Sequence, residues 1–166
     1  MVAQVSLARG AGKLLITDIS EYRLDIARKC GIEYASNAAK EKTEDAIMRI
    51  FGQEGFQVAI DCSGAQAALT AAVDNIEKGG RIVIVGVFSD PPAVDMAKVC
   101  EHEISIVGSM MYLHEDYLQA AELIASGKVL TEPLVTKHFS FEDYNEAYRF
   151  IDDEADKVMK LMIDVS

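Results

Sequence analysis

The chain has 166 residues, half of them apolar, and a formal net charge of −11; this length suffices for one domain with one core and an appendage. The negative charge is not offset by any basic stripe, so nucleic-acid binding is excluded by repulsion from phosphate backbones. A basic leader and an apolar run of ~18 residues are both missing from the sequence, which predicts a cytoplasmic protein that does not span a membrane.

The elements alternate along the chain. Residues 1–9 are typical of the last turns of a buried helix that ends at Gly10, and the absence of a cap predicts that a strand and a turn precede it. The segment KLLITD, Lys13 to Asp18, is short and apolar on both faces, which favours a central parallel strand. Ser20 can then cap a helix that runs to Cys30 and is closed by Gly31.

The same alternation continues to residue 109 and predicts a doubly wound parallel sheet with right-handed crossovers. Gly79 and Gly80 are expected to form a turn, and residues 89–101 a loop with a short helix. The predicted strands are 33–35, 56–61, 81–87 and 104–109, and the predicted helices are 42–51 and 67–76.

The tail has a different pattern. Residues 116–126 form a predicted helix, and Ser140 with Asp143 makes a capping-box pattern for another. Residues 158–165 are typical of a final strand, whereas residues 130–141 are expected to be an extended connection. We therefore expect an appendage over 131–166 whose packing partner lies outside this chain.

Two strands end in an acid, at Asp18 and at Asp61. A carboxylate at the carboxyl end of a parallel strand lies where open α/β sheets bind ligands, and Asp18 could accept both hydrogen bonds of an adenosine ribose diol. The alternative is that Asp18 simply starts the next helix. This segment alone favours the alternative.

Cysteines and histidines give no metal motif. Cys30, Cys62 and Cys100 lie far apart without a Cys-x-x-Cys pair, so they are expected to be reduced and buried thiols. The three histidines are not spaced for a shared helix face or a cysteine cluster. They are His102, His114 and His138.

Six collinear motifs lie along the chain: the five segments ARGAGKLLITD, IDCSG, GGRIVIVGV, EISIVGS and VTKHFSFEDYNEAY, and Arg23, five residues after Asp18. Together they resemble the zinc-type medium-chain alcohol and polyol dehydrogenases, in particular the sorbitol and threonine dehydrogenase branch. The resemblance covers essentially the whole chain. It implies an α/β Rossmann-type fold that lacks its first strand and glycine-rich turn, with an NAD-binding domain over 1–130 and, over 131–166, a segment that in the family returns to the catalytic domain.

The resemblance assigns cofactor contacts by position. Asp18 corresponds to the acid that binds both ribose hydroxyls and selects NAD over NADP, and Arg23 to a basic residue beside that ribose. An ordinary solvated helix cation is the alternative for Arg23. Lys160 corresponds to a basic residue near the pyrophosphate.

Further contacts follow from the other segments. Cys62 and Ser63 match the turn against which adenine and its ribose rest, although Gly64 also fits a simple strand-to-helix turn. The other matches are Val85, Gly86 and Val87 at the nicotinamide ribose and carboxamide, with Gly86 allowing a backbone to approach a ring, and Ser109, Met110 and Met111 at the carboxamide. Core filling is the alternative for the two methionines.

The resemblance implies an oxidoreductase that transfers hydride from a secondary alcohol or polyol to NAD. The family's catalytic and structural zinc ligands have no counterpart in this sequence, so the chain alone is expected to be inactive, without catalytic or metal-binding residues of its own. The alternatives are a stand-alone nucleotide-binding or interaction module and a methyltransferase. The family also implies a homodimer or homotetramer through the edge strand at 104–109.

Overall fold

The computed structural model describes residues 1–165, in which helices alternate with parallel strands. The elements are α1 Val2–Ala8, β1 Leu15–Asp18, α2 Glu21–Lys29, β2 Tyr34–Asn37, α3 Thr43–Phe51, β3 Phe56–Asp61, α4 Gln66–Asn75, β4 Ile76–Ile84, α5 Met96–Glu101, β5 Ser105–Gly108, α6 His114–Ala125, β6 Val135–Ser140, α7 Tyr144–Asp153 and β7 Lys160–Asp164. The predicted α/β class is confirmed. Each helix of the described residues is too short or too polar to cross a bilayer.

The strands are hydrogen-bonded in three groups rather than in one continuous sheet. β1 pairs with β2, β6 pairs with β7, and β3, β4 and β5 form a three-stranded sheet in that order; every one of these pairings is parallel. The chain divides into two compact units, one of Met1–Glu41 with the described residues from His114 on, and one of Lys42–Leu113.

The core of the second unit lies between α4 and its sheet. Leu69 and Val73 of α4 are buried against Ile82 of β4, with Ile76 and Ile104 completing the cluster. The spacing of Leu69 and Val73 puts both on one face of α4. Burial of a side chain of this size stabilises the folded state by ~1.5–3 kcal/mol.

In the first unit, buried Gln4 ties α1 to the chain that follows α6. Its amide nitrogen donates to the backbone oxygen of Leu130 at 3.0 Å, and its amide oxygen accepts from the nitrogen of Leu130 at 2.6 Å. Both polar atoms of the side chain are thereby paired, which removes the cost of burying an amide. Exposed Arg9, just after α1, also donates to Gln119 of α6.

Two predicted segments differ from the structure. The connection over residues 130–141 contains the strand β6, which pairs with β7 through Val135 and Lys160 onward. β4 begins at Ile76 rather than Arg81 and ends before Val85, and its pairing with β3 shifts register around Gly79 and Gly80. The two glycines therefore form an irregularity inside the strand rather than a separate turn.

Candidate nucleotide-binding site

Asp18 ends β1 beside β2, at the carboxyl edge of that strand pair. It is half-buried and lies opposite Asn37 in the register. Its Oδ1 accepts from the backbone nitrogen of Ser20 at 2.9 Å, and its backbone oxygen accepts from Ala38 at 3.0 Å. The carboxylate thus fixes the turn into α2 with Oδ1, which leaves the acceptor positions on Oδ2 for a ligand.

α2 carries Arg23 one turn after its cap. The hydroxyl of Ser20 accepts from the nitrogen of Arg23 at 3.4 Å, as predicted for the N-cap of this helix. Exposed Arg23 and Asp18 both line a cavity of about 50 Å³ whose walls include Ile16 and Met159. The cavity is far smaller than the ~300 Å³ of a typical ligand pocket, so only an open groove here would accommodate a nucleotide.

The C-terminal segment packs on α2. Thr136 Oγ1 accepts from the nitrogen of Met159 at 2.9 Å and lies 3.5 Å from the hydroxyl oxygen of Tyr22. Leu134 is buried in one cluster with the α2 residues Ile26 and Cys30. This packing brings Met159 to the cavity with Asp18, and exposed Lys160 follows it as the first residue of β7.

In the second unit, the turn after β3 is built on Asp61. Its carboxylate accepts from the nitrogen of Ser63 at 3.0 Å, the hydroxyl of Ser63 at 2.6 Å and the nitrogen of Gly64 at 3.1 Å. The Ser63 hydroxyl also accepts from the nitrogen of Ala65 at 3.2 Å. Cys62 and Ser63 are exposed, whereas Asp61 is buried.

The segment after β4 lies directly against this turn. The nitrogens of Val85 and Gly86 both donate to the backbone oxygen of Asp61 at 2.9 Å. A Cβ placed on Gly86 would lie 2.3 Å from the nitrogen of Gly64. A glycine is needed at position 86 because the two backbones touch there. The resemblance suggested another reason, the approach of the Gly86 backbone to the nicotinamide ring. Val87 is exposed.

Ser109, Met110 and Met111 follow β5 and lie on the surface. The nitrogen of Ser109 donates to the oxygen of Ile84 at 2.8 Å, which fixes the start of this segment to β4. Met110 and Met111 are 79% and 75% exposed, so the alternative that they fill the core is wrong. Met111 has a φ of 62°, an uncommon backbone conformation for a non-glycine residue.

The thiols are free, but burial was predicted correctly only for Cys30; Cys62 and Cys100 are exposed. Partial shielding of the sulfur, together with the nearby charge of Asp61, raises the pKa of Cys62, and burial raises the pKa of Cys30. Neither thiol is therefore poised as a nucleophile at neutral pH.

Among residues 1–165, the histidine, cysteine, aspartate and glutamate side chains form no group of three or more that could hold a metal ion. Asp18, Arg23 and Lys160 belong to the first unit, and the other predicted contacts belong to the second.

Comparison with known proteins identifies the relationship. Residues 1–126 match the family model described as zinc-binding dehydrogenase. This chain belongs to the zinc-binding dehydrogenase family. Its resemblance to the cofactor-binding half of zinc-type medium-chain dehydrogenases is thereby confirmed, and the family match does not favour the methyltransferase alternative.

A curated relative agrees with the family, and solved structures agree with the fold. L-threonine 3-dehydrogenase of Escherichia fergusonii is 38% identical over 149 residues, which cover 89% of this chain and 43% of that enzyme. The fold matches an Escherichia coli oxidoreductase/dehydrogenase of unknown specificity involved in membrane biogenesis, with a TM-score of 0.93 and 24% identity over 99% of this chain and 47% of that one. It also matches a short chain alcohol dehydrogenase from Escherichia coli CFT073 in complex with NADH, with a TM-score of 0.88 and 20% identity over 99% and 48% of the two chains. The chain thus spans less than half the length of these relatives.

The residue missed by sequence reasoning is Asp61. Like Asp18, it is an acid at the end of a predicted strand, and this pattern could have indicated it as a site residue. Its burial, at 7% exposed, separates it from Asp18 and becomes visible only in the structure.

Proposed function

We propose that this chain is the cofactor-binding portion of an NAD-dependent zinc-type alcohol or polyol dehydrogenase. Membership in the zinc-binding dehydrogenase family supports the reaction class. The observation that carries the cofactor assignment is the carboxylate of Asp18 at the carboxyl end of a parallel strand, where α/β sheets bind nucleotides and a ribose diol can be held. The proposed domains are residues 1–130 for the dinucleotide and 131–166 for the returning segment.

NAD supplies a nicotinamide ring that accepts hydride from the carbon of an alcohol. On the chain's side, Asp18 and Arg23 would hold the adenosine ribose, and Lys160 would face the pyrophosphate. Cys62 and Ser63 would support the adenosine. The nicotinamide half would rest on Val85, Gly86 and Val87, and on Ser109, Met110 and Met111.

The Ser63 hydroxyl is already used inside the protein, as a donor to Asp61 and an acceptor from Ala65. It therefore has one acceptor position left for a ligand. We infer that the turn after β3 supports the cofactor chiefly through its backbone and its shape.

The cofactor preference is tested by calorimetric titration of the chain with NAD and with NADP. A 2′-phosphate would meet the negative charge of Asp18, so NAD is expected to bind at least about tenfold more tightly, or ~1.4 kcal/mol. Asp18→Asn should reduce that preference, whereas Asp152→Asn on the exposed face of α7 should leave it unchanged. Tighter binding of NADP by the unaltered chain would overturn the role of Asp18.

A second readout locates the nucleotide on the turn after β3. Cys62 and Cys100 are both exposed. Alkylation by iodoacetamide at mildly alkaline pH, where thiolate forms, followed by peptide mass spectrometry, uses Cys62 as the probe and Cys100 as the internal control. NAD should slow labelling of Cys62 severalfold and leave Cys100 unaffected. Equal protection of both thiols, or protection of neither at a saturating NAD concentration, would contradict this location.

Assembly and location belong to the same proposal. β5 ends the three-stranded sheet, and its residues are exposed, which suits pairing with a second copy at this edge. A homodimer or homotetramer through residues 104–109, an alcohol or polyol substrate and a cytoplasmic location are proposed together with the reaction.

A further inference from the structure

Asp61 is a buried acid that serves as the acceptor for a whole turn. Its residue is 7% exposed, and its two carboxylate oxygens accept three hydrogen bonds from Ser63 and Gly64 at 2.6–3.1 Å. Oδ1 takes both bonds from Ser63, and Oδ2 takes the bond from Gly64. A buried carboxylate is tolerated when several donors satisfy it, and these three donors come from one short turn.

The same residue also holds the segment after β4. The backbone oxygen of Asp61 accepts from the nitrogens of both Val85 and Gly86 at 2.9 Å. The side chain of Asp61 therefore fixes one of the proposed cofactor-binding segments, and its main chain fixes the other.

Between the two segments the backbones are in direct contact. A Cβ on Gly64 would lie 2.3 Å from the oxygen of Val87, and a Cβ on Gly86 would lie 2.3 Å from the nitrogen of Gly64 and 3.0 Å from Oδ2 of Asp61. Real Cβ atoms do not approach so closely. A displacement of the turn at Gly64 would thus be transmitted to Gly86 without an intervening side chain to absorb it.

We propose that Asp61 is a positioning residue that joins the Cys62–Gly64 turn and the Val85–Val87 segment into one rigid platform for the dinucleotide. This inference rests on the proposed function for its ligand, but the coupling between the two segments does not. The carboxylate is essential because both of its oxygens accept. An asparagine would direct an amide donor at either Ser63 or Gly64, where an acceptor is needed.

Hydrogen exchange of the full chain, measured by NMR without nucleotide, tests the coupling in Asp61→Asn. Exchange at Ser63 and Gly64 should accelerate because their acceptor is altered. Exchange at Val85 and Gly86 should accelerate at least about tenfold as well, although their acceptor is the unchanged backbone oxygen. Ile82, a fully buried residue of β4, reports global opening and should change less. Asp74→Asn, which removes an exposed acid paired with Lys98, is the matched control.

Unchanged exchange at Val85 and Gly86 would overturn the proposal and make Asp61 a local cap. If Asp61→Asn does not fold, or if Ile82 accelerates as much as Val85, Ser63→Ala decides the question. It keeps the Asp61 carboxylate and removes only the two bonds of the Ser63 hydroxyl, the 2.6 Å bond to Asp61 and the 3.2 Å bond from Ala65. That variant should still speed exchange at Val85 and Gly86 by a smaller factor, and no change there would refute the coupling.

NAD titration separates this proposal from the proposed function. Asp61→Asn should weaken NAD binding about tenfold relative to Asp74→Asn at a temperature where both variants are folded. If the unaltered chain binds no NAD, the proposed function fails while the exchange result stands. Coupling without any loss of NAD affinity in Asp61→Asn would overturn the positioning role.

Discussion

Gly86 illustrates, at the scale of a single residue, how a missing side chain determines the shape of the candidate site. Gly86→Ala would drive a Cβ to 2.3 Å from the nitrogen of Gly64, so backbone must move. We expect a loss of ~1–3 kcal/mol in the free energy of unfolding, the usual cost of overpacking, measured by urea denaturation. Gly108→Ala is the control, because its Cβ would meet nothing within 4 Å. Equal stability of the two variants would contradict the close approach.

For Asp18, the sequence left open whether its carboxylate binds a ligand or starts the helix α2, and in the structure the two roles are compatible. Oδ1 of Asp18 accepts from the nitrogen of Ser20, and the cap of α2 is Ser20 itself. A carboxylate has two oxygens, so one can fix the turn and the other can face a ligand. Asp61 also fixes the turn after its strand, but with both oxygens. It was not predicted as a site residue, because burial depends on distant residues.

At the scale of elements, helices were predicted within a few residues because their signals are local. Ser20 and Gly31 bracket α2 as expected. The capping box predicted for α7 did not form. The Ser140 hydroxyl donates to the Asp143 carboxylate at 2.8 Å and accepts no bond from a backbone nitrogen of the helix. β6 was missed as a strand because its partner β7 lies more than twenty residues away, and pairing at that distance leaves little local pattern.

α2 and β2 are joined by Glu21, whose charge gives a pH-dependent stability. Its carboxylate accepts from Lys40 Nζ at 2.9 Å, Asn37 at 3.1 Å and Arg28 at 3.1 Å, and these bonds, with Lys40 first, lower the pKa of Glu21 from 4.5 to about 2. Because the folded pKa is lower, the stabilisation is complete above about pH 4.5 and is lost as the pH falls towards 2.

Glu21→Gln should therefore unfold more easily than the unaltered chain at pH 6, and the difference should shrink as the pH approaches 2. Urea denaturation at several pH values measures it. Glu122→Gln, at an exposed position of α6, controls for the loss of one negative charge. A difference between the Glu21 variant and the unaltered chain that stays constant from pH 6 to pH 2 would show that the three bonds do not depend on the charge.

At the scale of the whole molecule, the sequence predicted the order of strands and helices except for β6, and the family match confirms the relationship. It did not predict how residues 131–165 pack. They were expected to depend on a partner outside the chain, yet Leu134 is buried with Ile26 and Cys30 of α2. The apolar positions of α2 were visible in the sequence, but which distant segment covers them depends on tertiary contacts that no local pattern encodes.

The proposed assembly also belongs to this scale, and β5 is where it is tested. Ile106 and Val107 are 38% and 45% exposed on a strand that pairs with β4 and ends its sheet. An edge strand with exposed apolar residues favours pairing with another strand, and a lysine there opposes it. Val107→Lys should therefore shift the mass measured by light scattering after size exclusion from dimer or tetramer towards monomer. Met48→Lys, on the exposed side of α3 at 55% exposure, should leave the mass unchanged. A strictly monomeric unaltered chain at high concentration would exclude β5 as the interface. An unchanged oligomer in Val107→Lys would exclude it as well, because a lysine buried at the centre of a pairing edge would lose its hydration without gaining a partner.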